Sequence, residues 1–182
     1  MKVLALGGSG GMGRYAVQYL HNIKQIEKIY VADVNSLSAK KFASHFDNRV
    51  EGLKLDIRDF ETLKSEMSKV DIVVNTTGPF FLFAEPILKA AIQTNTHYFD
   101  ICDDWEPTEK MLQMNEDAKK ANITAIIGLG ASPGLTNILA HIAISELDEV
   151  RKVYTGWDMS AAKPEIESSQ SGVSAAMVHG IE

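Results

Sequence analysis

The chain has 182 residues, 45% of them hydrophobic, and a net charge of −6, with no basic stripe to give nucleic-acid binding an electrostatic footing. Its apolar stretches fall far short of a membrane span, and its single cysteine, Cys102, excludes an internal disulfide framework and a cysteine-rich metal site. Met1-Lys2 open directly into a strand pattern, leaving no room for a signal peptide, so a soluble cytoplasmic protein acting on a small molecule, with no bound metal, is expected.

The apolar run Val3–Leu6 leads into Gly7-Gly-Ser-Gly-Gly-Met-Gly13, so the first thirteen residues hold five of the chain's 13 glycines. Gly8, Gly10 and Gly13 fit the spacing G-x-G-x-x-G. A helical pattern follows, with Met12, Ala16, Val17 and Leu20 on one face. Strand, tight turn and helix in this order cradle a dinucleotide pyrophosphate, with Ser9, Gly11 and Met12 completing the turn. Gly8 is expected to reverse the chain where φ turns positive. Gly10 lets backbone approach the phosphates, and Gly13 lets the helix pack on the strand. The open N–H groups of the first helical turn then face the anion.

The next strand pattern, Ile29-Tyr-Val-Ala-Asp33, ends on a carboxylate twenty residues after Gly13. A carboxylate there accepts hydrogen bonds from ribose hydroxyls and repels a 2′-phosphate. No Arg follows in Val34-Asn35-Ser36, and Lys40 and Lys41 fall a turn or more into the next helix, so NAD is expected over NADP. A plain strand-end turn is the other reading of Asp33.

Strand patterns cover residues 2–7, 28–33, 50–55, 70–75, 97–101 and 123–128; helical patterns lie near 12–23, 36–46, 59–68, 85–94, 107–121 and 134–146. Strict alternation implies an α/β fold, a doubly wound parallel sheet covered on both faces. Pro86, Pro107 and Pro133 mark helix starts, and Ser132 reads as the N-cap of the last helix. Val150–Trp157 reads as one more strand. Residues 158–172 are polar, and residues 173–182 begin another helical pattern. Roughly thirty residues cannot form a core of their own. The expected organisation is therefore a dinucleotide-binding domain over 1–149 and, over 150–182, the beginning of a truncated or partner-completed second domain.

Ligands of open α/β sheets bind beyond the carboxyl ends of the strands. Three more loops fall there. Thr76-Thr-Gly-Pro79 offers hydroxyls for a ribose or phosphate on a Gly-Pro turn, or is a structural turn alone. Asp100-Ile-Cys-Asp-Asp104 clusters three carboxylates and a thiol, which could hold a cationic amine or pass a proton, or could cap a helix. Gly128 to Asn137, with Ser132 and Pro133, could present a helix N-terminus to a carboxylate or carboxamide oxygen, or is a plain helix start. Cys102 has no nearby His or Lys to lower its pKa and is not read as a nucleophile. His97 sits at the far end of its strand and reads as structural.

Four motifs, Gly8-Ser-Gly-Gly-Met-Gly13, Asn75-Thr-Thr-Gly-Pro-Phe80, His97-Tyr-Phe-Asp-Ile-Cys-Asp-Asp104 and Gly130-Ala-Ser-Pro-Gly-Leu-Thr-Asn137, occur in this order at these separations. Together they resemble the saccharopine dehydrogenase-like family, which includes saccharopine reductases, lysine dehydrogenases and carboxynorspermidine dehydrogenases. The resemblance covers about residues 1–157. It implies a Rossmann domain followed by an α+β substrate and dimerisation domain, entered near Val150, and a homodimer in the full-length protein. It also implies NAD(P)-dependent hydride transfer at a C–N bond of an amino-acid-derived substrate. At Asp33 the chain is closer to the lysine dehydrogenase-like branch, which points away from saccharopine itself.

Hydride transfer needs no protein nucleophile, because the cofactor carries that chemistry. Asp103 is the expected amine-facing or proton-managing residue, Asp100 its orienting partner, and Cys102 a lining residue of the cofactor pocket. The alternatives are a non-catalytic nucleotide-sensing module and a short-chain-type enzyme. The latter would want a Tyr-x-x-x-Lys pair, whereas Tyr154 is followed by Asp158.

Overall fold

The alternating apolar pattern of the first strand sends Val3 and Ala5 to one face of a sheet and Leu4 and Leu6 to the other, because successive side chains of a strand point to opposite sides. A computed structural model describes residues 1–156. The strands are β1 (Lys2–Leu6), β2 (Lys28–Asp33), β3 (Val50–Lys54), β4 (Ile72–Asn75), β5 (His97–Asp100) and β6 (Ala125–Ile126). They form one sheet in the order β3-β2-β1-β4-β5-β6. All five pairings are parallel, with Leu4 opposite Val73, Val73 opposite Tyr98 and Tyr98 opposite Ala125. The doubly wound α/β class is as expected.

Helices cover both faces. On one side α1 (Gly11–His21) and α2 (Ser36–Ala43) bring Val17, Ala39 and Phe42 onto Val3, Ala5, Ile29 and Val31. On the other, α3 (Phe60–Met67), α4 (Phe80–Gln93) and α5 (Trp105–Leu112) bring Leu63, Met67, Ile87, Leu88 and Met111 onto Leu4, Leu6, Val73 and Tyr98. Each such large side chain, once fully buried, contributes about 1.5–3 kcal/mol. Because the chain winds outward from β1 to β3 and then crosses back to β4, the loops after β1 and β4 diverge and open a crevice between them.

The structure differs from expectation in several elements. α4 begins at Phe80, not near Glu85, and carries Pro86 in its interior. A proline there removes one helical hydrogen bond, but the preceding turn places Ala84 wholly inside the core, and that packing keeps the turn helical. The expected helix over 107–121 is two helices, α5 and α6 (Asn115–Lys120), and α6 buries none of its residues. Ser132 does not cap α7 (Leu135–Ser145). Gly134 does, at φ 115°, with its N–H donating to the side chain of Asn137 at 3.1 Å.

The expected strand from Val150 is not formed. Residues 150–156 have no regular structure, since edge strand β6 spans only two residues and pairs with β5 alone. Trp157, the polar stretch to 172 and the final helical pattern lie outside the described residues. α7 buries none of its side chains, and Leu135, Ile138, Leu139 and Ile142 are each more than half exposed. Among the described residues, no helix is long and apolar enough to cross a membrane.

Candidate functional site

The glycine turn occupies the crevice between β1 and β4, and sterics explain its residues. The positive φ falls at Gly7 (68°), not at Gly8 as expected. A Cβ on Gly8 would lie 2.9 Å from the carbonyl oxygen of Ala5, so Gly8 is needed for close packing on the strand. A Cβ on Gly13 would collide with the carbonyl oxygen of Gly7, so only glycine lets α1 sit this close to the turn. Gly10 is the N-cap of α1 and supplies no side-chain cap. At Gly11 a Cβ would meet nothing within 4 Å. The first turn of α1 thus opens onto free space, as a helix N-terminus that receives an anion must. Met12 is 60% exposed and not on the buried face, which runs instead through Gly13, Ala16, Val17 and Leu20.

At the end of β2 both oxygens of Asp33 are engaged. Oδ2 accepts the Ser9 hydroxyl and Oδ1 accepts the N–H of Asn35 at 2.9 Å. Asn35 in turn caps α2 by accepting from Leu37 and Ser38, each at 3.1 Å. Ser9 is buried, and its carbonyl accepts from Arg14 Nε at 2.8 Å. The Arg14 guanidinium also lies 5.2 Å from the centre of the Phe42 ring. A cation therefore stands next to the Ser9–Asp33 pair. It comes from α1, nineteen positions before Asp33, and not from the Val34-Asn35-Ser36 segment that follows the carboxylate.

In the loop after β4, the Thr76 hydroxyl donates to the carbonyl of Leu6 at 2.8 Å and ties β4 to β1. Thr77 is different: its Oγ1 is buried and has no hydrogen-bond partner among the described residues. It would lie 3.0 Å from a Cβ placed on Gly7, which puts it against the glycine turn. Gly78 and Pro79 are exposed at the start of α4.

The acidic loop after β5 separates its three carboxylates. Asp100 is 1% exposed. Its Oδ1 accepts the N–H groups of Cys102 (3.1 Å) and Gly128 (2.8 Å), and its Oδ2 accepts the Tyr98 hydroxyl at 2.8 Å. Burial pushes its pKa up, opposed by these three donors. Asp100 therefore pins loops together from inside, and Asp103, which it is expected to orient, is not among its hydrogen-bond partners. Its charge also helps raise the Tyr98 phenol, after burial itself. Asp104 accepts the N–H of Phe81 at 2.9 Å and so caps α4, a helix of the neighbouring loop. Asp103 is exposed. Cys102, expected to line the pocket, is wholly buried in the core under α5, its Sγ 3.8 Å from Thr108 Oγ1. Burial pushes the thiol up to about 11, so no thiolate forms at neutral pH.

The last loop folds back on itself through a bridge between Gly130 and Gly134. Pro133 packs over Gly128, and Ser132 is exposed. His97 is structural, its Nδ1 accepting the N–H of Thr124 at 2.9 Å. The groove lined by Lys89, Gln93, Met114 and Asp117 lies at the opposite end of α4 from the glycine turn.

Six parallel strands wound to either side of a crevice, with a glycine turn, an open helix N-terminus and a strand-end carboxylate at its lip, define a Rossmann-type dinucleotide-binding domain. The orphaned Thr77 hydroxyl and the open space at Gly11 fit such a ligand. Within that class the chain belongs to one family, since residues 3–126 match the saccharopine dehydrogenase NADP binding domain. It is 28% identical over 139 residues to the lipid droplet localized protein of Caenorhabditis elegans, covering 70% of this chain and 32% of the relative. It is 26% identical over 152 residues to saccharopine dehydrogenase [NADP(+), L-glutamate-forming] of Schizosaccharomyces pombe, covering 84% and 32%. In structure it resembles apo saccharopine dehydrogenase (L-Glu forming) of Saccharomyces cerevisiae, with a TM-score of 0.69 at 23% identity, covering 80% and 31% of the two chains. The chain thus spans about a third of the length of the curated relatives it matches. The expected preference for NAD is not supported: the family description and the fission-yeast relative both carry NADP.

Proposed function

We propose that this chain is the nicotinamide-dinucleotide domain of an oxidoreductase acting at a C–N bond of an amino-acid-derived substrate. The observation that carries the reading is the open N-terminus of α1 at the sheet's switch point, with Asp33 at the lip. The bound cofactor would supply or accept the hydride. The chain's own residues do the rest. N–H groups of the Gly10–Gly13 turn hold the pyrophosphate, Asp33 and Ser9 meet the adenosine ribose, and Thr77 offers its unpartnered hydroxyl. Gly78, Pro79, Ser132 and Pro133 form the walls. Asp103, the exposed carboxylate of the β5 loop, is the group available to hold a cationic amine or manage a proton.

The NADP in the family's description and the Arg14 guanidinium beside Ser9 agree with each other: a cation there can meet a 2′-phosphate. We assign NADP as the cofactor on that ground. The residues from about 150 are proposed to open a second, substrate and dimerisation domain of a cytoplasmic homodimer. The exposed apolar side chains of α7 support that reading, because they need cover. A second reading, a nucleotide sensor without catalysis, is favoured by the burial of Asp100, which leaves the acidic loop one carboxylate fewer for chemistry.

Fluorescence titration of this chain with NADPH and NADH, followed by an amine-substrate screen on the full-length protein for reduced-cofactor formation, tests both. Binding with turnover supports the enzyme, and binding with no turnover on any amine supports the sensor. No binding of either dinucleotide overturns both.

A further inference from the structure

A single buried chain of hydrogen bonds joins three of the loops at this site. Thr77 N donates to Asn75 Oδ1 at 3.0 Å, Asn75 Nδ2 donates to Tyr98 Oη at 3.1 Å, and Tyr98 Oη donates to Asp100 Oδ2 at 2.8 Å. Asp100 Oδ1 then receives Cys102 N and Gly128 N. Asn75, Tyr98 and Asp100 are all essentially inaccessible to solvent. The register makes this possible. Asn75 lies directly opposite Asp100 across the β4–β5 ladder, and Tyr98, two residues before Asp100, shares its face. The polarity of the chain is fixed: Asn75 must turn its oxygen to the Thr77 amide, which aims its amide nitrogen at Tyr98, which leaves the phenol to donate to Asp100.

We infer that Tyr98 is a positioning residue of the nucleotide site, its hydroxyl coupling the loop that carries Thr77 to the loop that carries Ser132 and Pro133. A phenylalanine would fill the same core volume, so the hydroxyl serves the hydrogen-bond chain and not packing. At one end of the chain Thr77 is held with its free hydroxyl against the glycine turn. At the other, Gly128 is held under Pro133. Without the phenol hydroxyl, Asn75 and Asp100 each keep their own loop, but the two loops lose their common reference. The inference rests on the dinucleotide reading above.

Two measurements on Tyr98→Phe test it. Amide hydrogen exchange in the absence of ligand should quicken at Thr77, Cys102 and Gly128 together, by about tenfold, while Val31 on the opposite face keeps its rate. NADPH affinity, measured well below the melting temperature, should fall by about tenfold for the loss of one positioning contact. Asp100→Asn turns a second donor toward Tyr98 and should quicken the same amides, with effects that do not add to those of Tyr98→Phe. Exchange that quickens uniformly across the sheet, or unchanged NADPH affinity in a variant whose melting temperature alone has dropped, overturns the inference and leaves Tyr98 a core residue. A wild-type chain that binds neither dinucleotide overturns the function proposed above; the coupling of the loops is then decided by the three amides alone.

Discussion

Asp104, in the loop after β5, holds its Oδ2 2.9 Å from the backbone N–H of Phe81, in the first turn of α4. Pro79, the residue at the N-cap position of α4, has no side chain that can cap, so Asp104, 23 positions beyond Phe81, does so. Two neighbouring loops of the site are thereby tied at their surface, as the Asn75–Tyr98–Asp100 chain ties them underneath. Asp104→Ala should cost about 1 kcal/mol, the usual worth of an N-cap. A shift of the urea midpoint at constant slope is the measure, and an unchanged midpoint would show that the cap contributes nothing.

Gly13 and Gly11 should respond oppositely to alanine. At Gly13 the added methyl meets the Gly7 carbonyl, so α1 must move off the turn, with a stability loss of about 1–3 kcal/mol and loss of dinucleotide binding. At Gly11 the methyl meets no protein atom, and alanine should stabilise the helix by about 0.5–1 kcal/mol. Weakened NADPH binding in that more stable Gly11→Ala variant would mark the open space as the pyrophosphate site. Calorimetry on the two variants, with and without NADPH, reads both effects.

Arg14→Ala should weaken NADPH binding by roughly ten- to a hundredfold, the worth of a charge-assisted hydrogen bond, and leave NADH binding nearly unchanged. Asp33→Ala should weaken NADH more than NADPH, because it removes the ribose acceptor from both but a repulsion from NADPH alone. Parallel titrations settle the pair. Equal losses for both cofactors on Arg14→Ala would sink the assignment of NADP.

Asp100 gives the protein a pH dependence of a definite sign. Its folded pKa is raised, with burial the largest cause. Its contribution to stability is therefore fully present below the ordinary carboxylate pKa of about 3.9 and is lost as pH rises through the higher folded value. Asp56 acts in the opposite sense. Its hydrogen bonds with Arg58 lower its pKa to about 2, so its contribution is present above the ordinary value and lost as pH falls through about 2. Urea unfolding across this range should show a falling limb in the wild type that Asp100→Asn flattens.

Cys102 should react with a thiol reagent only on unfolding, since it is wholly buried and its pKa is pushed up to about 11. Its modification rate in native protein should follow the unfolding equilibrium as urea is added. Rapid modification without denaturant would return it to the pocket wall, where the sequence had placed it.

The glycine turn and the carboxylate at the end of β2 were legible because each is a local signal: a spacing, a strand pattern and a required distance between them. The acidic loop was legible as a cluster but not as three separate roles. Nothing in Asp100-Ile-Cys-Asp-Asp104 tells which carboxylate turns inward, because the donors that receive them stand at Phe81 and Gly128, far away in the chain. Arg14 was missed for a related reason. It was sought after Asp33, while the fold delivers it from α1. The start of α4 was misplaced because Pro86 reads as a boundary, and only the burial of Ala84 shows why the helix continues through it.

Short-range chemistry was therefore enough for the sequence alone to determine the alternation of strands and helices as far as β6, its parallel winding and the dinucleotide turn. Periods of 2 and 3.6 residues and the φ freedom of glycine act within a few residues of one another. The fate of each polar side chain was left to the tertiary structure. A carboxylate is catalytic, capping or buried according to which donors surround it. For Asp100, Asp104 and Asp33 those donors, the amides of Gly128 and Phe81 and the hydroxyl of Ser9, are 23 to 28 residues distant and meet them only once the sheet has formed.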